Sequence, residues 1–481
     1  MKKFTSVILL SSFMVGCVSI DDLPYVGAFD QTSKEGKFVE EYDFTAKSYE
    51  TGDLTTTQDT RNIYLNSLGT IPDDSLRLYA QTILTKIVEN GPKVPLQPEI
   101  QIGANMNPGA ITVKSGTIFL NHSLFDYLEN EDQIAFIIAH EYSHLLLQHF
   151  TSDLFTTMHP YLVTAADIAV GQAGKNPHSG KGIRLYGTDL MARDVLLPFW
   201  SRQNEAEADR LGVDLMVAAG YNPNESLKAL TIIDEYEKQF EASFEVERNA
   251  LEKEILAENH SSKNNDKFNL VESIQTAFKD LQTTVAKEHP DAQERMQDVF
   301  EYTEREYSEA AFRDLTKAEF ASVVAANQEI LDKYKKAFEI RRTLVSEPKL
   351  SAAQFAELES TARWTISGST QNHPYTRQTM SLVREYKGAY ELALKNLELT
   401  ENTDGFLPGP MEMNRIQWLK QTRQNEEAFD RTKEVGEYYD WPLATFREAI
   451  ELGQVLGKKQ EVTGFRLACV AKHPQSRDLC Q

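Results

Sequence analysis

The stretch Ile138-Ala139-His140-Glu141-Tyr142-Ser143-His144-Leu145-Leu146 sets two histidines four residues apart. On a helix that spacing stacks both imidazoles on one face, where they can grip a single metal ion. Glu141 lies one residue on, angled beside them, as a general base would. Zinc binds nitrogen and oxygen donors, polarises a water, and leaves a neighbouring carboxylate to take the proton. The apolar flanks predict a buried helix, in which two histidines and a glutamate are costly unless ligated or hydrogen-bonded. A surface helix carrying the same residues would want polar flanks.

Catalytic zinc takes three protein donors plus water. His149 is the nearest further candidate and fails on geometry, because five residues after His144 it points away from the 140/144 face. The short motif with a third histidine also needs a glycine at position 147 and a histidine at position 150, where Leu147 and Phe150 stand. His149 therefore reads as a packing or hydrogen-bonding residue. The run Ser201-Arg202-Gln203-Asn204-Glu205-Ala206-Glu207-Ala208-Asp209 offers Glu205 and Asp209 on one helical face. Glu205 is assigned as the third metal ligand, and Asp209 as the carboxylate that accepts the far N–H of His140 and fixes its tautomer. Ala206 and Ala208 are small enough for the two helices to approach closely. Glu207 points elsewhere and reads as a solvated acid, with a rival claim on the metal. Farther on, His289-Pro290 is followed by Arg295. Other His-Pro pairs stand at His159, His373 and His473, so it is Arg295 and a place directly behind the expected helical insert that single out His289.

Periodicity indicates the elements that carry these residues. Asp73 to Asn90 spaces Leu76, Leu78, Ile83, Leu84 and Ile87 as an amphipathic helix. Ile111 to Val113 and Thr117 to Asn121 read as short strands around a Lys114-Ser115-Gly116 turn, and Asp126 to Gln148 as one helix. Between Thr151 and Leu197, scattered glycines and prolines mark a long loop or lid. A second helix from Arg202 to about Ala219 is stopped by Gly220-Tyr221-Asn222-Pro223. Residues 224–286, dense in Glu and Lys, read as a solvent-facing helical insert. From residue 306 to 481 the pattern is helical throughout, and Gly388-Ala389-Tyr390 with Ala393-Leu394 resembles one pair of a degenerate tetratricopeptide repeat. The expected fold class is α+β, mainly helical, with a small sheet in a domain over 61–305 followed by an all-α C-terminal domain.

The 481 residues are 41% hydrophobic and 25% charged, a globular composition with room for two or three domains. A net charge of -22 without any block of Lys and Arg excludes nucleic acid as a partner. Met1-Lys2-Lys3, the apolar Val7 to Val15 and Gly16-Cys17 read as a lipoprotein signal over residues 1–17 that leaves Cys17 acylated. An ordinary secretory signal is the alternative. Residues 18–60 read as a polar tether, and no later apolar run is long enough to span a bilayer. Cys469 and Cys480, in an oxidising compartment, are expected to pair.

Asn121 to Asn130, His140 to His144, Ser201-Arg202 with Glu205 and Ala208-Asp209, Ala219-Gly220-Tyr221 with Pro223, and His289-Pro290 with Arg295 together resemble a known family. It is that of the HtpX-like zinc metallopeptidases, gluzincins that include the CAAX prenyl endopeptidases, with periplasmic BepA-like members nearest. The resemblance implies a zincin-like fold, one zinc ion per chain, and an extended substrate paired along a strand near Gly116 to Asn121. It also implies an active-site role for His289, either occupying the metal's open position to hold the enzyme latent or stabilising the oxyanion. Arg295 is expected to hold a carboxylate in place. The function expected is cleavage of unfolded or misassembled envelope proteins from a periplasmic lipid anchor, with Val18 favouring the outer membrane. The alternatives are a latent peptidase fold acting as chaperone or assembly factor through a partner on the C-terminal helices, and an exopeptidase.

Overall fold

The computed structural model describes residues 36–44, 61, 63–65, 67–149, 202–236, 238, 292–346, 349–400, 405–474, 477 and 480. Cys17, His289, the stretch from Thr151 to Leu197 and the insert beyond 238 lie outside them.

Within the span read as a polar tether, helical turn α1 (Phe38–Glu41) is docked on the body. Phe38, Tyr42 and Phe44 pack against the core, and the amides of Phe38 and Val39 donate to Tyr302 Oη and Asp214 Oδ2, each at 2.7 Å. Average polarity hides these aromatics. Helix α2 (Asp74–Asn90) begins where Asp73, extended, accepts the Ser75 amide at 2.9 Å, a side-chain N-cap. It buries Leu76, Tyr79, Ala80, Ile83, Leu84 and Ile87. Leu78, expected in that stripe, is 52% exposed, because two residues from Leu76 lie about 200° round a helix.

Three strands, β1 (Glu99–Gly103), β2 (Ala110–Thr112) and β3 (Thr117–Asn121), form a sheet in the order β1-β3-β2. The hairpin of β2 and β3 turns at Gly116, whose φ of +97° suits a residue without Cβ, and pairs Ile111 with Phe119. β1 adds parallel to the other side of β3, from Glu99 opposite Thr117 to Gly103 opposite Asn121. Its alternation Glu99-Ile100-Gln101-Ile102 is a strand signal that the sequence reading passes over. β3 is consequently central, with both sides paired, and cannot be the substrate-pairing edge expected from Gly116 to Asn121. Among the described residues β2 is an edge instead. Its ladder bonds run from Asn121 N to Gly109 O and from Val113 N to Thr117 O, so the main-chain groups of 110 and 112 face away from β3.

The helix expected from Asp126 to Gln148 is two, α3 (Leu124–Tyr127) and α4 (Glu131–Leu147). Asn130 breaks it within the polar run Glu129-Asn130-Glu131-Asp132-Gln133, turning extended so that its side chain accepts the Gln133 amide at 3.1 Å. Every residue of α4 is buried. At its start Glu131 accepts the hydroxyls of Tyr79 and Tyr221 at 2.8 and 2.9 Å, and Asp132 accepts the amides of Asn222 and Thr316 at 2.8 and 2.7 Å. Negative charge there also suits the helix dipole.

Helix α5 (Arg202–Ala218) packs across α4, and the turn after it has Gly220 at φ +93°. A helix α6 spans 224–236 and is not the start of a solvent-facing insert, since Glu225, Ser226, Ala229 and Leu230 are buried; α7 (Ala292–Tyr307) lies against α5. The rest is helical: α8 (Ala318–Ser346), α9 (Ala352–Thr365), α10 (Pro374–Tyr386), α11 (Tyr390–Glu398), α12 (Gly409–Gln421), α13 (Asn425–Tyr438), α14 (Leu443–Val455) and α15 (Lys459–Lys472). From α8 onward each packs on the next, α8 also packs on α2 and α3, and one apolar core runs through sheet, α4 and array. Cys469 and Cys480 are joined by a disulfide, with Cα atoms 5.7 Å apart, beside Leu443 and Phe446. No helix among the described residues is long and apolar enough to cross a membrane.

Where α8 meets the sheet, His122 is buried with Nδ1 3.2 Å from Gly103 O and its ring edge-on to Tyr334. Burial pushes its pKa down from 6.5 to about 4. Above pH 6.5 the imidazole is neutral in both states; below it the unfolded chain takes a proton that the fold resists. Stability is therefore lost as pH falls from 6.5 towards 4, by about 3 kcal/mol. Urea unfolding across this window should show a smaller loss in His122→Gln than in wild type; equal losses would place the effect elsewhere.

Candidate metal centre

Residues from α4 and α5 converge at one crossing, and Gly212 lets them do so. A Cβ there would stand 3.2 Å from the Cα and N of His140, so α5 lays bare backbone against the motif. Close approach was expected from Ala206 and Ala208; at His140 the contact belongs to Gly212, two turns along α5 from Glu205.

The Nε2 atoms of His140 and His144 stand 3.0 Å apart, and each lies 3.6 Å from an oxygen of Glu205. Donors bound to tetrahedral zinc at about 2.0–2.2 Å stand about 3.3–3.5 Å from one another, so this spacing fits that ion. The other ring nitrogens are engaged elsewhere: His140 Nδ1 lies 2.9 Å from Asp209 Oδ1, and His144 Nδ1 lies 2.7 Å from His149 Nδ1. Both rings thus turn Nε2 towards Glu205. Among the described residues, His140, His144 and Glu205 form the cluster suited to a metal ion.

Arg295, from α7, closes the ring of charge. Its Nε and Nη2 donate to Asp209 at 2.8 and 2.7 Å, and Nη1 sits 2.9 Å from Glu205 Oε2. Arg295 thus holds two carboxylates. Burial would raise the Asp209 pKa, but Arg295 and His140 outweigh it and hold the carboxyl far below the usual range. Burial also opposes charge on His140, yet Asp209 and Glu205 lift its pKa above the ordinary value. His144 is driven well below that value by burial, with His140, His149 and Arg295 adding to the effect.

Glu141 is buried beside this cluster, and burial raises its pKa against the opposing pull of His140 and Thr112. Thr112 on β2 brings its Oγ1 to 2.8 Å from Glu141 Oε2 and 2.9 Å from the Glu141 carbonyl. Nothing in the sequence distinguishes this threonine from any other strand threonine. His149 is the buried hydrogen-bonding residue that the sequence suggests and stands outside the metal-suited cluster, but its direction differs from the one expected. Helix α4 stops at Leu147, Gln148 adopts a left-handed φ of +56°, and the turn swings His149 back onto His144. Helical projection past Leu147 therefore points it the wrong way. Glu207 is not a freely solvated acid: its Oε2 lies 3.5 Å from His149 Nε2, and it is outside the metal-suited cluster.

Residues 79–303 match peptidase family M48. This part of the chain is an M48 peptidase domain. The beta-barrel assembly-enhancing protease of Escherichia coli K12 is 29% identical over 159 residues, 32% of this chain and 31% of that protein. Its namesake from Yersinia pestis is 27% identical over 164 residues, 32% of each chain. The mitochondrial metalloendopeptidase OMA1 of Saccharomyces cerevisiae is 29% identical over 179 residues, 35% of this chain and 49% of that one. The chain thus spans about a third of the length of the beta-barrel assembly relatives and half of OMA1.

Two substitutions probe the crossing. Gly212→Val in the M48 domain should cost about 1–3 kcal/mol through overpacking. Arg295→Ala, which strands two buried carboxylates, should cost about 3–5 kcal/mol. Both are read from denaturant unfolding of the metal-free protein, and wild-type stability in either would contradict the packing or charge balance described.

Proposed function

We propose that this chain is a zinc-dependent endopeptidase, with the metal held by His140, His144 and Glu205. The observation that carries the reading is the meeting of these three donors beside buried Glu141 in a domain of a peptidase family. Zinc bound there supplies a Lewis acid and brings the pKa of water towards neutrality. Glu141 takes the proton of the attacking water and returns it to the leaving amine. Asp209 fixes the tautomer of His140, and Arg295 keeps Asp209 and Glu205 in place.

Substrate recognition is assigned to the outer edge of β2. An extended peptide added there would pair with the main chain of 110 and 112, and Thr112 links that edge to Glu141. Most extended segments of a folded protein are already paired or packed, which favours unfolded or misassembled chains as substrates. The relatives named for beta-barrel assembly favour an envelope setting. The Cys469–Cys480 disulfide favours an oxidising compartment, and the segment ending at Cys17 favours a lipid anchor, by resemblance in the outer membrane. His289 is assigned to the active site, a reading supported by the place of Arg295 six residues after it.

The purified protein should carry one zinc per chain and cut casein or another unfolded protein internally. Glu141→Gln should keep the zinc and lose turnover by about 10²–10⁴-fold. Full proteolysis in that variant would remove Glu141 from the role of base. Zinc binding without any cleavage by wild type would favour the assembly-factor reading, and release of single residues would favour an exopeptidase.

A further inference from the structure

His140 and His144 present the same nitrogen to the proposed metal but are backed differently. Behind His140 stands the carboxylate of Asp209; behind His144 stands a second imidazole, His149, itself 94% buried, with Glu207 beyond it. We infer that His149 and Glu207 form a positioning relay that sets the tautomer and orientation of His144. The inference rests on the metal site proposed above.

Proton counting on neutral rings gives the direction of the relay. If His144 donates to the metal through Nε2, its single ring proton is on Nδ1. The His144 Nδ1 to His149 Nδ1 contact of 2.7 Å holds one proton, so His149 Nδ1 must accept. The proton of His149 then resides on Nε2, the atom 3.5 Å from Glu207 Oε2. Glu207 is steadied in turn by Gln203, whose Nε2 donates to its other oxygen at 2.8 Å. The left-handed residue Gln148 brings His149 into line, and its amide donates to the His144 carbonyl, tying the same turn to the ligand's backbone. A neutral imidazole is a weaker acceptor than an ionised carboxylate, and Glu207 is partly open to water where Asp209 is not. His144 is thereby the more weakly backed of the two histidines. Partners of this kind commonly carry 10–100-fold in metal affinity.

The test measures zinc dissociation constants by chelator competition, the absorption of the cobalt-substituted protein, and the melting midpoint of the metal-free protein. His149→Phe keeps a ring and removes the acceptor; His149→Asn restores an acceptor near the place of Nδ1. Zinc should bind about 10–100-fold more weakly to the Phe variant, with shifted cobalt bands, while the metal-free midpoint reports separately the loss of the buried hydrogen bond. The Asn variant should recover most of the loss. Wild-type affinity in His149→Phe, or equal weakening in both variants, would overturn the relay. Should His149→Phe fail to fold, Glu207→Leu at the partly exposed end provides the test: weaker zinc binding supports the relay, and unchanged binding overturns it. Failure of wild type to bind zinc in the same titration would overturn the metal site itself, an outcome distinct from these.

Discussion

Two carboxylates four residues apart on α5 face the protein interior, and an interior accepts such charges only against a cation and a full set of hydrogen bonds. Arg295 meets both Asp209 and Glu205, and it comes from α7. The histidines that complete the arrangement come from α4. The site is thus an electrostatic requirement spread over three helices, and placing any one of them wrongly leaves a buried charge without a partner. Residues far apart in the chain have to be brought together to satisfy it, which suits a family match that runs from 79 to 303.

Around this centre the structure secures α4 at both ends. Its N-terminal carboxylates are held by Tyr79, Tyr221, Asn222 and Thr316, and its C-terminus by a left-handed turn that brings His149 against the motif. The α5 side has an anchor of its own in Asp214, which accepts the hydroxyls of Tyr302 and Tyr307 and the amide of Val39. One carboxylate there binds α1, α5 and α7 together. Burial still raises its pKa to about 6, the three donors pulling the other way.

Much of this was legible in the sequence because it rests on local spacing. Histidines at 140 and 144 and acids at 205 and 209 lie on common faces whatever surrounds them, and Asp73 and Gly220 mark helix ends by local chemistry. What escaped depended on contacts between distant segments or on a single dihedral. Thr112 meets Glu141 only because the sheet edge packs on α4. Gly212 is an unremarkable helix residue until another backbone lies 3.2 Å away. His149 followed helical projection until one residue turned left-handed, and Asn130 broke a helix inside a polar run where its side chain could cap the Gln133 amide. The order of strands was illegible for a related reason: pairing β1 parallel to β3 reaches back past β2, and hydrophobic pattern does not specify which neighbour a strand takes.

Thr316 lies beyond the family match yet completes the start of α4. Its carbonyl accepts the amide of Glu131 at 3.0 Å, and its own amide is taken by Asp132. A fragment trimmed at 303 would sever both bonds, exposing the first turn of the very helix that carries His140 and His144 and removing one of the two amides that hold Asp132. Asn222 would lose the carbonyls of Ala311 and Arg313 in the same cut. The scaffold of the site is therefore larger than the matched region, and an excised piece needs the chain at least through Thr316 to keep these bonds.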